Sequence, residues 1–288
     1  MRSQKSYRQK NDQGTLYIVP TPIGNLEDMT YRAVNILHSV DKIAAEDTRN
    51  TKKLTRHFDI TTPLISYHEH NEKSRGEELI RELENGESVA IVSDAGMPGI
   101  SDPGEEIIKE AVDQGISVVV LPGANAALVA LVGSGLKTDH FFYYGFLPRK
   151  KKDREAELQK WKSFTETIVF YESPHRLKQM LRHMYDVFGD RKVSLARELT
   201  KQYEEFLRGS LEEAAVWAEE TELKGEFCIV VEGGEAEITS SWWESLTVVE
   251  HVDTYVEEGM KNKEAIKKAA VDRGVPKRDV YREYHVGD

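Results

Sequence analysis

Residues 89–104 read VAIVSDAGMPGISDPG. A short apolar run gives way to a loop of Asp, Gly and Pro, and a helical pattern starts after Pro103 and Gly104. The chemistry on offer is hydrogen bonding to a ligand. The carboxylates of Asp94 and Asp102 accept from hydroxyl and amino groups, while Ala95, Gly96 and Gly99 let a ligand approach the backbone closely. Ligands of open α/β sheets sit beyond the carboxyl ends of strands, which is where this loop falls. Taken alone, the loop fits a turn with special backbone angles and two turn aspartates just as well.

The arrangement recurs along the chain. Residues 16–19 lead into Pro20-Thr21-Pro22-Ile23-Gly24-Asn25, and residues 42–45 into Glu46-Asp47-Thr48-Arg49, where Asp47 or Thr48 is placed to cap a helix. Residues 118–121 lead into Pro122-Gly123-Ala124-Asn125-Ala126. Glu172-Ser173-Pro174-His175-Arg176 and Glu198-Leu199-Thr200-Lys201 follow further apolar runs. Polar loops that all lie at the carboxyl ends of strands, in two domains, can enclose a ligand cleft. His68 and His70, with Glu69 between them, read as strand-end polar residues lining a cleft rather than as a metal pair, and no metal is expected. No Gly-x-Gly-x-x-Gly follows a strand, and neither a Walker A sequence nor a Gly-x-Ser-x-Gly elbow occurs.

The elements that must position these loops alternate. Strands are predicted at 16–19, 42–45, 64–67, 89–92 and 118–121, with helices at 31–40, 48–58, 73–83, 105–113 and 124–132, a pattern for a mostly parallel sheet. Gly133 to Asp139 breaks it. Strands then follow at 141–145, 167–171, 192–197, 203–208 and 226–231, with a helix at 174–187 that has Pro at its start. Strands 192–197 and 203–208 have no helix between them, which implies antiparallel pairing and an α+β domain. Beyond Gly233-Gly234 the chain turns helical, over 241–258 and 263–270, and a helix–turn–helix pattern around Gly274 fits either a small nucleic-acid reader or a helical hairpin. The expected organisation is a frayed tail over 1–13, an α/β domain over 14–134, an α+β domain over 139–234 and a helical appendage over 240–288.

At 288 residues, 39% apolar and 31% charged, the chain has enough apolar content for real cores and a well-solvated surface. No run reaches the length of a membrane span, and residues 1–13 lack the apolar core of a secretory signal. The single cysteine, Cys228, sits in the apolar run 227–231 and reads as a packed core residue, which fits a cytoplasmic protein. The net charge of −11 argues against nonspecific nucleic-acid binding, yet basic residues cluster at 149–154, at Arg49, Lys52, Lys53 and Arg56, and over 261–282.

Residues 16–37, 45–54, the DAGMPGISDPG motif at 94–104, and residues 122–126, 145–148, 171–177, 197–209 and 224–227 together resemble the ribosomal RNA small subunit methyltransferase I family of the tetrapyrrole-methylase superfamily. The resemblance implies a two-domain tetrapyrrole-methylase-like fold, a homodimer, and S-adenosylmethionine-dependent 2′-O-methylation of a cytidine in 16S rRNA, as free RNA or within the small ribosomal subunit. It implies a donor site of Pro20, Asp94, Ala95, Gly96, Ile100, Ser101, Ala124, Asn125, Ala126, Tyr171, Glu226 and Phe227. Met97 departs from the small hydroxyl residue expected there, and Thr55 from the expected Leu. Such a transfer needs a base near the hydroxyl, for which Glu46, Asp47, Glu172 and Glu198 are candidates. It also needs cations for phosphates, for which Arg49, Arg149, Lys150, Lys151, Arg176, Arg197 and Lys201 are candidates. The alternatives are a porphyrinoid C-methyltransferase and a noncatalytic RNA-binding assembly factor.

Overall fold

Strict alternation along short apolar strands builds the first sheet. In the computed structural model, which describes residues 1, 3–5, 13–235 and 242–286, the first half runs β1 (Thr15–Ile18), α1 (Tyr31–Ser39), β2 (Lys42–Ala45), α2 (Thr48–His57), β3 (Leu64–Ser66), α3 (Glu72–Glu84), β4 (Val89–Val92), α4 (Glu105–Asp113), β5 (Ser117–Val120) and α5 (Ala126–Ser134). The five strands pair in parallel in the order β3-β2-β4-β1-β5. Leu16, Ile18, Val89 and Ile91 face α3 and α4, whereas Ile43, Ala45, Ala90 and Val92 face α1. Both faces are thus covered, as a parallel sheet requires.

The second half continues β6 (Phe141–Phe146), α6 (Lys151–Lys160), β7 (Thr167–Glu172), α7 (Pro174–Phe188), β8 (Lys192–Arg197), β9 (Glu205–Ser210), α8 (Leu211–Glu220) and β10 (Phe227–Val231). The order is β6-β7-β10-β8-β9, with β6 and β7 parallel and the other pairs antiparallel. One face packs on α6, α7 and α8 through Phe170, Leu195, Ile229, Leu177 and Met184. The other face is covered by α5, whose Ala127, Ala130 and Leu131 meet Val169, Ala196 and Cys228. By packing, α5 therefore belongs with the second sheet, although it follows the last strand of the first. The domain break read at Gly133 falls one helix later than this change of partner.

The chain divides into two compact units, residues 1–235 and 236–288. In the second, α9 (Val248–Glu257), α10 (Asn262–Asp272) and α11 (Lys277–Val286) enclose their own core of Val252, Tyr255, Ile266, Ala269 and Val280. The helix expected over 241–258 is corrected. Residue 241 lies outside the described residues, and the helix begins only at Val248 because Thr247 and Glu250 form a capping box. Of the tail read as frayed, residues 2 and 6–12 lie outside the described residues. Gln4 is held, its side-chain amide donating to Val118 O at 2.7 Å and accepting from Val118 N at 3.0 Å along the outer edge of β5. Among the described residues no helix is long and apolar enough to cross a membrane.

Candidate functional site

The loops at the strand ends of the two sheets converge on a cavity of about 450 Å³. The loop after β4 forms one wall. Gly96 takes φ of +86°, which favours glycine, and pairs with Thr21 of the loop after β1 through Thr21 N to Gly96 O at 2.9 Å and Gly96 N to Thr21 O at 3.0 Å. Ser101, at φ +61°, shares a hydrogen bond of 2.6 Å with the Tyr143 hydroxyl from β6. The Tyr171 hydroxyl accepts from Ala127 N at 3.0 Å at the start of α5, and Asn125 caps that helix through Leu128 N at 3.1 Å. Two phenols of the second sheet thus tie down backbone and loop from the first half of the chain.

The lining carries six carboxylates, from Glu46, Asp94, Asp102, Glu172, Glu198 and Glu226, against one cation, Lys201. Burial pushes Asp102 up to about 7, helped by the negative charges of Glu46, Asp94 and Glu226. Burial also raises Glu46, against the opposing hydrogen bond from Asp94 N to its Oε2 at 3.3 Å. The Asp94 carboxylate is itself engaged. It accepts from Asp47 N at 3.2 Å and from Asn50 Nδ2 at 2.9 Å, so it braces the start of α2.

Of the residues expected at a donor site, Asp94, Ala95, Gly96, Ile100, Ser101, Asn125, Ala126, Tyr171, Glu226 and Phe227 all line the cavity. Pro20 is buried outside that lining against Gly123, and the Ala124 carbonyl lies behind Gly96. Among the expected bases, Glu46, Glu172 and Glu198 line it. Asp47 is outside the lining and caps α2, its side chain accepting from Arg49 N at 2.8 Å, and the Arg49 guanidinium holds its carboxyl down at about 2. Glu172 is buried, accepts from Ser173 N at 2.7 Å and pairs with Arg176 at 3.2 Å. Glu198 accepts from Lys201 Nζ at 2.9 Å.

The expected RNA-binding cations divide in the same way. Lys201 lines the cavity, and Arg149, Lys150 and Lys151 are exposed just past Phe146, a lining residue at the end of β6. Arg176 donates to Leu147 O at 2.7 Å, and Arg197 pairs with Glu205, so both are spent inside the fold. Arg154, in the same basic run, is 3% exposed and donates to His183 Nδ1 at 2.9 Å and Arg149 O at 3.2 Å. His68 and His70 lie past the end of β3 and outside the cavity lining, contrary to the cleft role read for them. The sequence reading did not name Ile23, Phe146, Ser173, Ala196, Leu199 or Cys228 as lining residues, whereas Asp102, read there as a ligand acceptor, and Met97, noted as a departure at a donor position, both line the cavity.

The sequence profile of the Tetrapyrrole (Corrin/Porphyrin) Methylases matches residues 15–215. The ribosomal RNA small subunit methyltransferase I of Halalkalibacterium halodurans is 57% identical over 287 residues, covering 99% of both chains. The chain belongs to the ribosomal RNA small subunit methyltransferase I family, within the tetrapyrrole methylases. The Bacillus subtilis protein of this family is likewise 57% identical, covering 99% of both chains. A solved fold neighbour is the uroporphyrin-III C-methyltransferase of Thermus thermophilus, complexed with S-adenosylhomocysteine. It has a TM-score of 0.55 and 18% identity, and the match covers 77% of this chain and 98% of that one. The rRNA methyltransferase relatives therefore extend over the appended helices, while the profile match stops inside α8.

Proposed function

We propose that this chain transfers a methyl group from S-adenosylmethionine to the ribose 2′-hydroxyl of a cytidine in 16S rRNA, a reading that the names of its relatives support as far as methylation of small-subunit rRNA. The observation that carries the reading is the charge layout: an acid-lined cavity whose rim leads directly into an exposed basic run. The donor bears a sulfonium and an ammonium group, and the carboxylates of Asp94 and Glu226 suit those cations. A volume of about 450 Å³ suits a nucleoside-sized ligand. When bound, S-adenosylmethionine supplies an electrophilic methyl group on positively charged sulfur.

The chain's own residues do the rest. The loops after β4 and β5 present backbone and Asn125 to the donor, and α5, pinned by Tyr171, keeps the second loop in register. Positioning of this kind supplies much of the rate in a transfer between two bound partners. The ribose proton needs an acceptor that works near neutral pH, and the Asp102 and Glu46 carboxylates, held above their ordinary range, meet that requirement better than a free carboxylate. Arg149, Lys150 and Lys151 hold phosphates while one nucleoside enters the cavity.

A porphyrinoid C-methylase shares the fold, but a lining with six carboxyl groups and one cation disfavours a polycarboxylate macrocycle. A noncatalytic assembly factor would bind the small subunit without the donor. The deciding experiment incubates the protein with labelled S-adenosylmethionine and either small ribosomal subunits or a porphyrinogen. Label at a cytidine ribose supports the proposal. Label only in the porphyrinogen, or the absence of calorimetric donor binding, refutes it. The proposal extends to a homodimer, because α5 is apolar all round and leaves Leu128, Val129 and Val132 exposed. Light scattering of Val132→Glu should then report a smaller particle than the parent.

A further inference from the structure

Beside the cavity lies a second concavity, an open groove of about 630 Å³ that no step above uses. Its walls come from three places: Asn25 and Leu26 after β1, His57 and Phe58 at the end of α2, and Lys201 with Gln202 after β8.

Three observations join this groove to the cavity. Lys201 lines both. Helix α2 starts beside the cavity, where Asn50 reaches Asp94, and ends in the groove, a span of about 15 Å for ten residues. Along it Arg49, Lys52, Lys53 and Arg56 are all exposed, at the 3- and 4-residue spacings that share one helix face. The groove is also preformed. A Cβ on Gly24 would meet Leu199 O and Thr200 Oγ1 at 2.9 Å, so the two loops press together, and Glu198 and Thr200 sit at φ of +51° and +65°.

The chemistry of the walls fits a nucleobase. The His57 and Phe58 rings meet edge to face at 4.8 Å, and Leu26 is 42% exposed, which offers apolar contact and stacking. The Gln202 amide and the Asn25 Nδ2 offer hydrogen bonds to base edges, the Asn25 Oδ1 accepting from Glu27 N at 3.0 Å, and the cationic face of α2 follows the route a phosphate backbone would take.

We propose that this groove is a subsite for a nucleotide flanking the methylated one on the same RNA strand, with its base against Leu26 and the His57–Phe58 pair and its phosphates along α2 and Lys201. The subsite rests on the RNA reading above.

The test uses Leu26→Glu and Gln202→Glu in the full chain, with small ribosomal subunits from cells lacking this protein. The KM for subunits should rise roughly ten-fold in each, with kcat and the calorimetric donor affinity unchanged. If Leu26→Glu loses donor binding through misfolding, Gln202→Glu, on an exposed loop, carries the test. An unchanged KM with an active parent overturns the subsite and leaves the methyltransferase reading intact. A parent that methylates no small-subunit RNA overturns that reading and the subsite with it.

Discussion

Asp102 is the side chain whose chemistry most depends on its surroundings. Its place in the SDPG turn is visible in the sequence, but its acidity is not. Glu46, Asp94 and Glu226 come from the ends of different strands, and only folding brings them close enough to raise it. The folded protein keeps the Asp102 proton up to about pH 7, whereas an unfolded chain releases it near the ordinary value of about 3.9. Between those values the folded state binds more protons, so this group's contribution to stability is complete in acid and is lost as pH rises through 7. Asp102→Asn should flatten urea-unfolding stability between pH 5 and pH 8, where the parent loses roughly 2 kcal/mol more. The same variant should abolish a rise in kcat through about pH 7, whereas the rise would survive the substitution if Asp102 served structure alone. The basic runs show the opposite failure of sequence reading. Lys150 and Arg154 look alike in the chain, yet Lys150 meets solvent while Arg154 is buried against backbone carbonyls and His183.

At the scale of elements, the strands were legible because short apolar runs give way to Pro or polar residues, as at Pro20, Glu46, Ser93 and Glu198, and β2, β4 and β8 fall where the sequence places them. Helix α5 was legible as a helix but not in its destination. Its small apolar residues fit either sheet, and only the Tyr171 bond and the apolar face of β10 decide between them. The start of α9 was readable from Thr247 and Glu250, three residues apart, but the apolar spacing of Trp242, Trp243 and Leu246 masked it. Contacts between loops carry two predictions. Gly24→Ala forces the loop after β1 away from residues 199–201, which should lower unfolding stability by about 1–3 kcal/mol in chemical denaturation. Asp94→Ala removes both the brace on α2 and a cavity carboxylate. Its donor dissociation constant should rise by about ten-fold in calorimetry, and a value equal to the parent's would remove Asp94 from the donor site.

Over the whole molecule, charge is sorted rather than averaged. The net charge of −11 coexists with exposed cations at residues 149–152, along α2, and at Lys267, Lys268, Lys277, Arg278 and Arg282 of the helical unit, where Arg273 instead donates to Leu246 O at 2.6 Å. Exposed cations that meet RNA release counterions, so affinity through them falls as salt rises. Replacing Lys150, Lys151 and Lys152 with Ala should slow RNA methylation at low salt and reduce the slope of log rate against log salt. Superimposable salt profiles would exclude that run from the RNA path. Cys228 ties chemistry to global motion. It is 3% exposed beneath α5, and burial pushes its thiol up to about 12. An alkylating reagent must approach this sulfur through the cavity it lines or after α5 lifts, so the labelling rate is a built-in clock for access to the site, one that a tightly held donor should slow.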